Sequence, residues 1–328
     1  MKLGIVGTGK IVNLIEPTIK QLGIDVAAVS GTPRSVEKVN EFADSFGADG
    51  RYTDYHDLIA DPQVDTVYVG VPNSLHFEVS EAALLADKDV ICEKPLAANF
   101  EASQRMAELA RSRGRFLWEA VVTTRQPNFK LVRDELIAKI GTIKAASINY
   151  SQYSSRYDAF REGTILPAFD KNMAGGAIMD LGLYTLTYTL ALFGEPRASR
   201  YVANIDHGVD TSGLIVLEYD GFVATNVCAK DSWGQIGFTI QGIDGYLTSE
   251  AGPNACGAVT LHLNDGSEQT YDRSLATVYE GEFSEFIAQQ EAGDLDSCYR
   301  DLDQSLLVSR IQNTIRREAG VVFPTDVA

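Results

Sequence analysis

Basic residues are scarce in this sequence of 328 residues. It has 28 lysines and arginines against 45 aspartates and glutamates, which gives a net charge of −17. The sequence pI is about 4.6. A protein that binds nucleic acid gathers Lys and Arg on one face to contact phosphates, so this charge balance argues against a nucleic-acid partner.

Cysteine and histidine are also rare, with four of each. The cysteines lie far apart, without a C-x-x-C pair or neighbouring histidines, so we expect neither a metal site nor a redox dithiol. We predict that all four are reduced and that they are mostly buried. They are Cys92, Cys228, Cys256 and Cys298.

Long hydrophobic runs are missing as well. The longest nearly apolar stretch, 181–194, is shorter than the roughly 18 residues that a membrane span needs, and no signal-peptide pattern follows Met1. With 45% hydrophobic and 22% charged residues, the composition is typical of a globular protein. We therefore expect about two domains, no membrane association and a cytoplasmic location.

Residues 1–119 alternate short β-rich runs with helix-length segments. Such alternation predicts βαβ units and a parallel sheet, so we expect a dinucleotide-binding Rossmann domain over 1–119. Strands are predicted at 2–6, 25–30, 66–71, 89–92 and 115–118, and helices at 11–22, 35–46, 74–86 and 100–113.

Residues 120–328 have a different pattern, in which several strand-like segments are joined by turns. This pattern predicts a second, α+β domain with a large open and mainly antiparallel sheet. Strands are predicted at 142–153, 201–205, 214–219, 222–228, 237–241 and 259–263, and helices at 127–140, 175–193, 280–290 and 302–318.

Two glycines mark a candidate phosphate site between the first strand and the first helix. Gly7 permits a tight turn, and Gly9 lets the backbone approach a pyrophosphate at the helix N-terminus. Val12 replaces the third glycine of G-x-G-x-x-G, which should hold the helix slightly further from the sheet. A glycine pair alone also occurs in ordinary turns, but the β/α alternation favours a dinucleotide site. Its predicted residues are Gly7, Thr8, Gly9, Lys10 and Ile11.

The second predicted strand ends without the carboxylate that usually binds the ribose hydroxyls of NAD. Ser30 and Thr32 are hydrogen-bond donors there, and Arg34 could pair with a 2′-phosphate or stack on adenine. The sequence therefore favours NADP over NAD. The alternative is that Arg34 is a solvated loop residue.

The third, fourth and fifth strands end in further candidates. Because the carboxyl ends of strands in a doubly wound sheet face the cofactor crevice, residues there can line the site. Glu119, at the end of the fifth strand, either faces the substrate or bonds a loop backbone. The predicted cofactor-binding residues are Val71, Pro72, Asn73, His76, Glu93 and Lys94.

The second domain contributes Gly175-Gly176 followed by Asp180 and Tyr184, which are four residues apart and so share one helix face. Alternatively, Asp180 caps the helix and Tyr184 is a core aromatic. The polar tract 151–158 suits sugar recognition, with Tyr153 and Arg156 as substrate-binding candidates, or is an ordinary surface loop.

Taken together, these motifs resemble the glucose-fructose oxidoreductase, inositol dehydrogenase and MocA-like (Gfo/Idh/MocA) family of dinucleotide-dependent oxidoreductases. The resemblance rests on the Gly7/Gly9 loop, the Pro72-Asn73 turn with His76, Glu93-Lys94-Pro95, and Gly175-Gly176 with Asp180. It implies hydride transfer between NAD(P) and a secondary alcohol or carbonyl of a sugar, polyol or diol. It also implies a homodimer or homotetramer formed through the open sheet.

The resemblance further implies roles for three residues. Lys94 would be the catalytic lysine, and Asp180 would bind substrate hydroxyls or orient the amine of Lys94. Many inositol dehydrogenase relatives have His where this chain has Tyr184, which is more similar to the dihydrodiol and xylose dehydrogenase branch. There a tyrosine is the proposed proton donor and acceptor. Lys94 could also be a salt-bridged surface lysine.

Two alternatives compete with an oxidoreductase. The first is a non-catalytic NADP-binding regulator, which would need the dinucleotide site but no proton donor. The second is an NAD-dependent glycosidase on the same fold, which would oxidise and re-reduce its sugar without net nicotinamide turnover.

Overall fold

The computed structural model describes residues 1–326, which form two compact units. The first comprises Met1–Ala120 and Glu282–Leu306, and the second comprises Val121–Gly281 and the residues from Leu307 onward. The boundary near Ala120 lies next to the predicted one at 119/120. The placement of Glu282–Leu306 in the first unit differs from the predicted division.

The first unit contains a six-stranded sheet with helices between its strands. Strand order is β3-β2-β1-β4-β5-β6, and every neighbouring pair is parallel. This order confirms the predicted doubly wound Rossmann class. Its elements up to Ala120 are β1 (Lys2–Val6), α1 (Lys10–Leu22), β2 (Asp25–Ser30), α2 (Val36–Phe46), β3 (Gly50–Tyr52), α3 (Tyr55–Ala60), β4 (Thr66–Val69), α4 (His76–Leu85), β5 (Asp89–Glu93), α5 (Phe100–Arg113) and β6 (Leu117–Ala120).

Strand β3 and helix α3 are not among the predicted elements. The strand is a three-residue edge strand without a fully buried side chain, and the helix has only six residues. Neither is long enough to show a hydrophobic period, so the sequence pattern does not reveal them. By contrast, β4 and β5 are buried at every position, as parallel strands covered on both faces should be.

The second unit is built on an eight-stranded sheet of order β14-β13-β12-β11-β7-β10-β9-β8. All neighbouring pairs are antiparallel except β7 and β10. The large, mainly antiparallel sheet is thereby confirmed. The elements from Val121 onward, including two helices shared with the first unit, are α6 (Pro127–Leu131), β7 (Ile143–Ser151), α7 (Tyr157–Arg161), α8 (Leu183–Phe193), β8 (Ala198–Asp206), β9 (Val209–Tyr219), β10 (Phe222–Ala229), β11 (Gly237–Gly242), β12 (Gly245–Ser249), β13 (Val259–Leu263), β14 (Glu268–Tyr271), α9 (Glu280–Ala292) and α10 (Leu295–Glu318).

Several predicted elements in this half have different bounds or helix types. The predicted helix 127–140 continues from α6 through a π-helical turn at Val132–Leu136, and the helix predicted from residue 175 begins with a π-helical turn at Ile178–Gly182. Helix α10 begins at Leu295 rather than 302, since Asp294 accepts the Ser297 backbone N–H at 3.0 Å. Strands β12 and β14 and helix α7 have no predicted counterpart.

Helix α9 and the first half of α10 belong to the first unit because they pack on β6. The indole N–H of Trp118 donates to Gln289 Oε1 at 2.6 Å, and its ring stacks on Phe286 with centroids 5.3 Å apart. The Cys298 thiol donates to the Leu117 carbonyl at 3.4 Å. These contacts join residues more than 160 positions apart, so local periodicity does not predict them. All four cysteines are free and buried, which confirms their predicted state.

The segment Lys171–Phe193 is long and apolar enough to cross a membrane by length and composition. It is longer than the apolar stretch at 181–194 because helical turns precede that stretch. However, 72% of its most apolar window is buried within the structure. A core helix meets the same criteria, so this is weak evidence for a membrane span.

A fully buried ion pair fixes the end of the described chain. Arg316 Nη2 lies 2.6 Å from Asp326 Oδ1, and neither side chain has exposed surface. Arg316 also donates to the Val321 carbonyl at 3.0 Å and to Asn313 Oδ1 at 2.6 Å. Asp326 therefore places a carboxylate directly against a buried guanidinium.

We therefore expect Asp326→Asn to lower the free energy of unfolding by about 3 kcal/mol, because breaking a buried ion pair removes a carboxylate that offsets the desolvation of the guanidinium. The matched control is Glu195→Gln. It removes the exposed ion-pair partner of Arg310, which lies on α10 like Arg316, and should cost less than about 1 kcal/mol. Urea denaturation of both variants measures the difference. Equal losses would contradict the assignment.

Candidate functional site

The loop between β1 and α1 has the geometry of a phosphate cradle. Gly7 has φ +122°, and a Cβ atom there would overlap the Gly70 carbonyl, so the fold itself requires glycine at this position. At Gly9 the nearest atom to an added Cβ would be 3.9 Å away, so packing within the protein does not require glycine there. Gly9 is the N-cap of α1, and no side chain caps that helix. Phosphate oxygens are suited to accept hydrogen bonds from the backbone N–H groups of the first turn, which no side chain caps.

The loop after β2 places its three candidates differently. Ser30 is fully buried, and its hydroxyl has no partner within residues 1–326. Its carbonyl accepts the Gly7 N–H at 2.8 Å, so Ser30 shapes the glycine loop through its backbone, whereas a donor role for its side chain does not fit this burial. Thr32 and Arg34 are exposed at the start of the short 3-10 turn Pro33–Ser35. Only Thr32 and Arg34 therefore offer side chains to a ligand.

His76 joins two loops that carry predicted cofactor residues. Its Nδ1 lies 2.7 Å from the Pro95 carbonyl and its Nε2 lies 3.0 Å from the Val71 carbonyl. Burial lowers the pKa of the imidazole, and a neutral ring has one N–H for these two acceptors. His76 thus holds the loop after β4 against the turn after β5. Pro72 is exposed and Asn73 half-buried on that first loop.

Lys94 is the one residue of 89–98 that is not buried. Its neighbour Glu93 accepts a hydrogen bond from the hydroxyl of Tyr68, which is fully buried. Burial raises the pKa of Glu93 to about 7, and the bond from Tyr68 and the charge of Lys94 offset part of that effect. The strand end therefore presents a single cationic side chain from an otherwise enclosed segment.

Glu119 supports the same turn from β6. Its carboxylate accepts the Leu96 N–H at 2.8 Å, and only 8% of the residue is exposed. Burial raises the pKa of this carboxyl group. Of the two roles predicted for Glu119, this contact corresponds to bonding a loop backbone.

Asp180 and Tyr184 lie within a long buried segment of the second unit. All residues of 174–190 except these two are buried. Gly176 has φ +127°, and a Cβ atom there would overlap the Asp210 carboxylate, which accepts the Ile178 N–H at 2.6 Å. The glycine pair thus lets the chain turn over a buried carboxylate before the π-helical turn that carries Asp180.

Lys230, which no motif in the sequence marks, is an ion-pair partner of Asp180. Its Nζ lies 2.9 Å from Asp180 Oδ2, with 4% of the lysine side chain and 40% of the aspartate side chain exposed. The prediction considered Lys94 as the partner. The sequence signal for Lys230 is a lysine directly after the buried end of β10. The same signal, a lysine directly after the apolar strand β5, marks Lys94.

The tract 151–158 is partly folded and partly exposed. The Tyr153 hydroxyl donates to Asp158 Oδ1 at 2.7 Å, and Arg156 is exposed just before α7. Both residues remain candidates for substrate contact. In the part of the chain that the structure describes, no three His, Cys, Asp or Glu side chains are grouped so as to hold a metal ion.

Comparison with known proteins gives relatives for both halves of the chain. Residues 1–121 match the oxidoreductase family with an NAD-binding Rossmann fold (GFO_IDH_MocA), and residues 134–248 match the GFO/IDH/MocA C-terminal domain. The chain is 36% identical over 301 residues to scyllo-inositol 2-dehydrogenase (NADP(+)) IolU of Bacillus subtilis, with 90% of each chain covered. It is 26% identical over 357 residues to trans-1,2-dihydrobenzene-1,2-diol dehydrogenase of Mus musculus, with 99% of each covered.

A solved structure shares the fold along nearly the whole chain. KijD10, a 3-ketoreductase from Actinomadura kijaniata in complex with TDP-benzene and NADP, superposes with a TM-score of 0.81 at 21% identity, covering 96% of each chain. The order of the first sheet, the large second sheet and the matched residues agree with one another. The chain therefore belongs to the Gfo/Idh/MocA family of oxidoreductases.

Proposed function

We propose that this protein is an NADP-dependent dehydrogenase or reductase that acts on a secondary alcohol or carbonyl of a sugar, polyol or diol. One observation carries the proposal. Two segments, 89–98 and 174–190, are buried except for Lys94, Asp180 and Tyr184. The names of the inositol and dihydrodiol dehydrogenase relatives support the substrate class.

The first unit holds the cofactor in this proposal. The glycine loop with Thr8, Lys10 and Ile11 binds the pyrophosphate, Thr32 and Arg34 bind the adenosine end, and the loop Val71–Asn73 lines the nicotinamide end. When bound, the cofactor would accept a hydride as NADP⁺ or supply one as NADPH. NADP is favoured over NAD because β2 ends at Ser30 without a carboxylate and an exposed cation follows.

The reaction places negative charge on the substrate oxygen, so it needs a proton donor and a positive charge beside that atom. We assign proton transfer to the Tyr184 hydroxyl and the positive charge to Lys94. Asp180 accepts hydrogen bonds from substrate hydroxyls, and Tyr153 and Arg156 are further candidates for such contacts.

We also propose a cytoplasmic homodimer or homotetramer formed through the open face of the second sheet. Val202 on β8 and Leu214 on β9 are paired neighbours and are 55% and 38% exposed. Val223 on β10 is 41% exposed. Apolar side chains exposed on one sheet face are typical of a surface that a partner covers.

We expect Lys94→Ala and Tyr184→Phe each to lower turnover by about 100-fold or more, because each removes a group that stabilises the developing charge or transfers the proton. The dinucleotide Kd should stay nearly unchanged. Lys144→Ala and Tyr271→Phe, at a strand and a strand end outside these segments, are the matched controls. Turnover by either site variant at the rate of its control would refute that residue's role.

Arg34→Ala should weaken NADP binding by about tenfold or more while leaving NAD binding nearly unchanged, since a charge-assisted bond to the 2′-phosphate is absent in NAD. Titration of the protein with each dinucleotide measures both constants. Arg105→Ala, which removes an exposed partner of Glu81, is the control. An equal loss for NADP and NAD would show that Arg34 does not read the 2′-phosphate.

Glu93→Gln should alter the pH dependence of stability. The pKa of Glu93 is raised from 4.5 to about 7 by burial, so its contribution to stability is complete below about pH 4.5 and is lost as pH rises through about 7. Glutamine still accepts the Tyr68 bond but does not ionise. From about pH 5 to pH 8, the variant should therefore gain up to about 3 kcal/mol relative to the parent in urea denaturation. Parallel pH curves would contradict this.

A further inference from the structure

We infer that Lys230 is a positioning residue, which fixes the carboxylate of Asp180 toward the substrate. The inference rests on the proposed function of Asp180, and it assigns a role to a residue that neither the motifs nor the family resemblance marks. Its basis is one short ion pair between a buried ammonium group and a half-exposed carboxylate.

The surroundings of Lys230 account for a charged amine at a buried position. Besides Asp180 Oδ2 at 2.9 Å, its Nζ donates to the Ala168 carbonyl at 3.1 Å and lies 4.9 Å from the centroid of the Phe169 ring. A carboxylate, a carbonyl and an aromatic face each stabilise an ammonium group. Burial without such partners would be costly.

The backbone of Lys230 restricts where its side chain can lie. Its N–H donates to the Thr211 carbonyl at 2.8 Å, and its carbonyl accepts the Ser154 N–H at 2.9 Å. Lys230 therefore extends the pairing beyond β10 on one side and holds the polar tract 151–158 on the other. The ammonium group thus reaches Asp180 Oδ2 from the end of a paired strand, while 40% of the aspartate side chain stays exposed.

A second buried group, the carboxylate of Asp210, fixes the turn that carries Asp180. Asp210 is fully buried and accepts hydrogen bonds from the Ile178 N–H at 2.6 Å and the Tyr201 hydroxyl at 2.7 Å. Asp210 thus sets the backbone that carries Asp180, and Lys230 sets its side chain. Substrate hydroxyls would then meet a carboxylate whose direction is already determined, which lowers the ordering cost of binding.

A double-mutant cycle with Lys230→Met and Asp180→Asn tests this inference, using the intact protein with NADP and a polyol that the parent enzyme oxidises. Alone, Lys230→Met should raise the KM for the polyol by about 30-fold and leave the NADP Kd unchanged. In the Asp180→Asn background it should add less than about threefold, because its effect passes through Asp180. Lys230→Arg, which keeps the charge, should restore KM to within about fivefold of the parent.

Lys88→Met is the control for a purely structural lysine, since Lys88 Nζ also donates to backbone carbonyls, including that of Asp61 at 3.1 Å. It should lower the Tm without changing KM. The inference would be overturned if the KM increases of the two single variants multiplied in the double variant, or if KM were unchanged in Lys230→Met. If Lys230→Met does not fold, the same cycle with Lys230→Gln decides. A parent enzyme without turnover on sugars, polyols or diols would refute the proposed function instead, so the two failures are distinguishable.

Discussion

The free-energy cost of burying charge is the constraint on which the candidate site depends. Charged groups are tolerated inside a protein only where hydrogen bonds or counter-charges replace the lost water. In the first unit, Glu119 and the His76 ring hold the turn that carries Lys94. In the second unit, Asp210 and Lys230 hold the turn that carries Asp180. Lys94 and Asp180, two of the candidate site residues, are thus each carried by a turn that buried polar groups hold.

This arrangement explains why the most informative residues lie at the ends of apolar segments. Lys94 follows β5, whose five residues are all buried, and Lys230 follows the buried end of β10. Side chains inside these strands are enclosed by the sheet and its covering elements, whereas the first residue beyond the strand has a backbone fixed by the preceding strand and a side chain that can extend past its edge. A functional group placed there needs little reorganisation.

Much of the fold follows from hydrophobic patterning. The alternation over residues 1–119 predicts the parallel sheet, and the bounds of β1, β2 and α5 agree with the structure residue for residue. The short edge strand β3 lies below the length at which periodicity is visible. The return of Glu282–Leu306 to the first unit depends on contacts such as Trp118 with Gln289. A linear pattern does not contain such pairings.

The site was predictable where a residue has a distinctive neighbourhood in the sequence, as in Glu93-Lys94-Pro95 or Gly175-Gly176. It was not predictable where the role arises from three-dimensional pairing. The ion pair of Asp180 with Lys230 spans 50 positions, and the enclosure of the Ser30 hydroxyl depends on tertiary packing. Sequence motifs identify the exposed groups, and the structure is needed to find the buried groups that hold them.

The proposed activity is net hydride transfer between NADP and a sugar-like substrate. The most direct test mixes purified protein with NADP or NAD and a panel of aldoses, polyols, inositols and vicinal diols, and follows the near-ultraviolet absorbance of reduced nicotinamide. We expect substrate-dependent reduction of NADP in preference to NAD. A flat trace with every compound, together with tight NADP binding, would instead indicate a non-catalytic regulator. Release of a glycoside leaving group without net reduction of the nicotinamide would instead indicate a glycosidase.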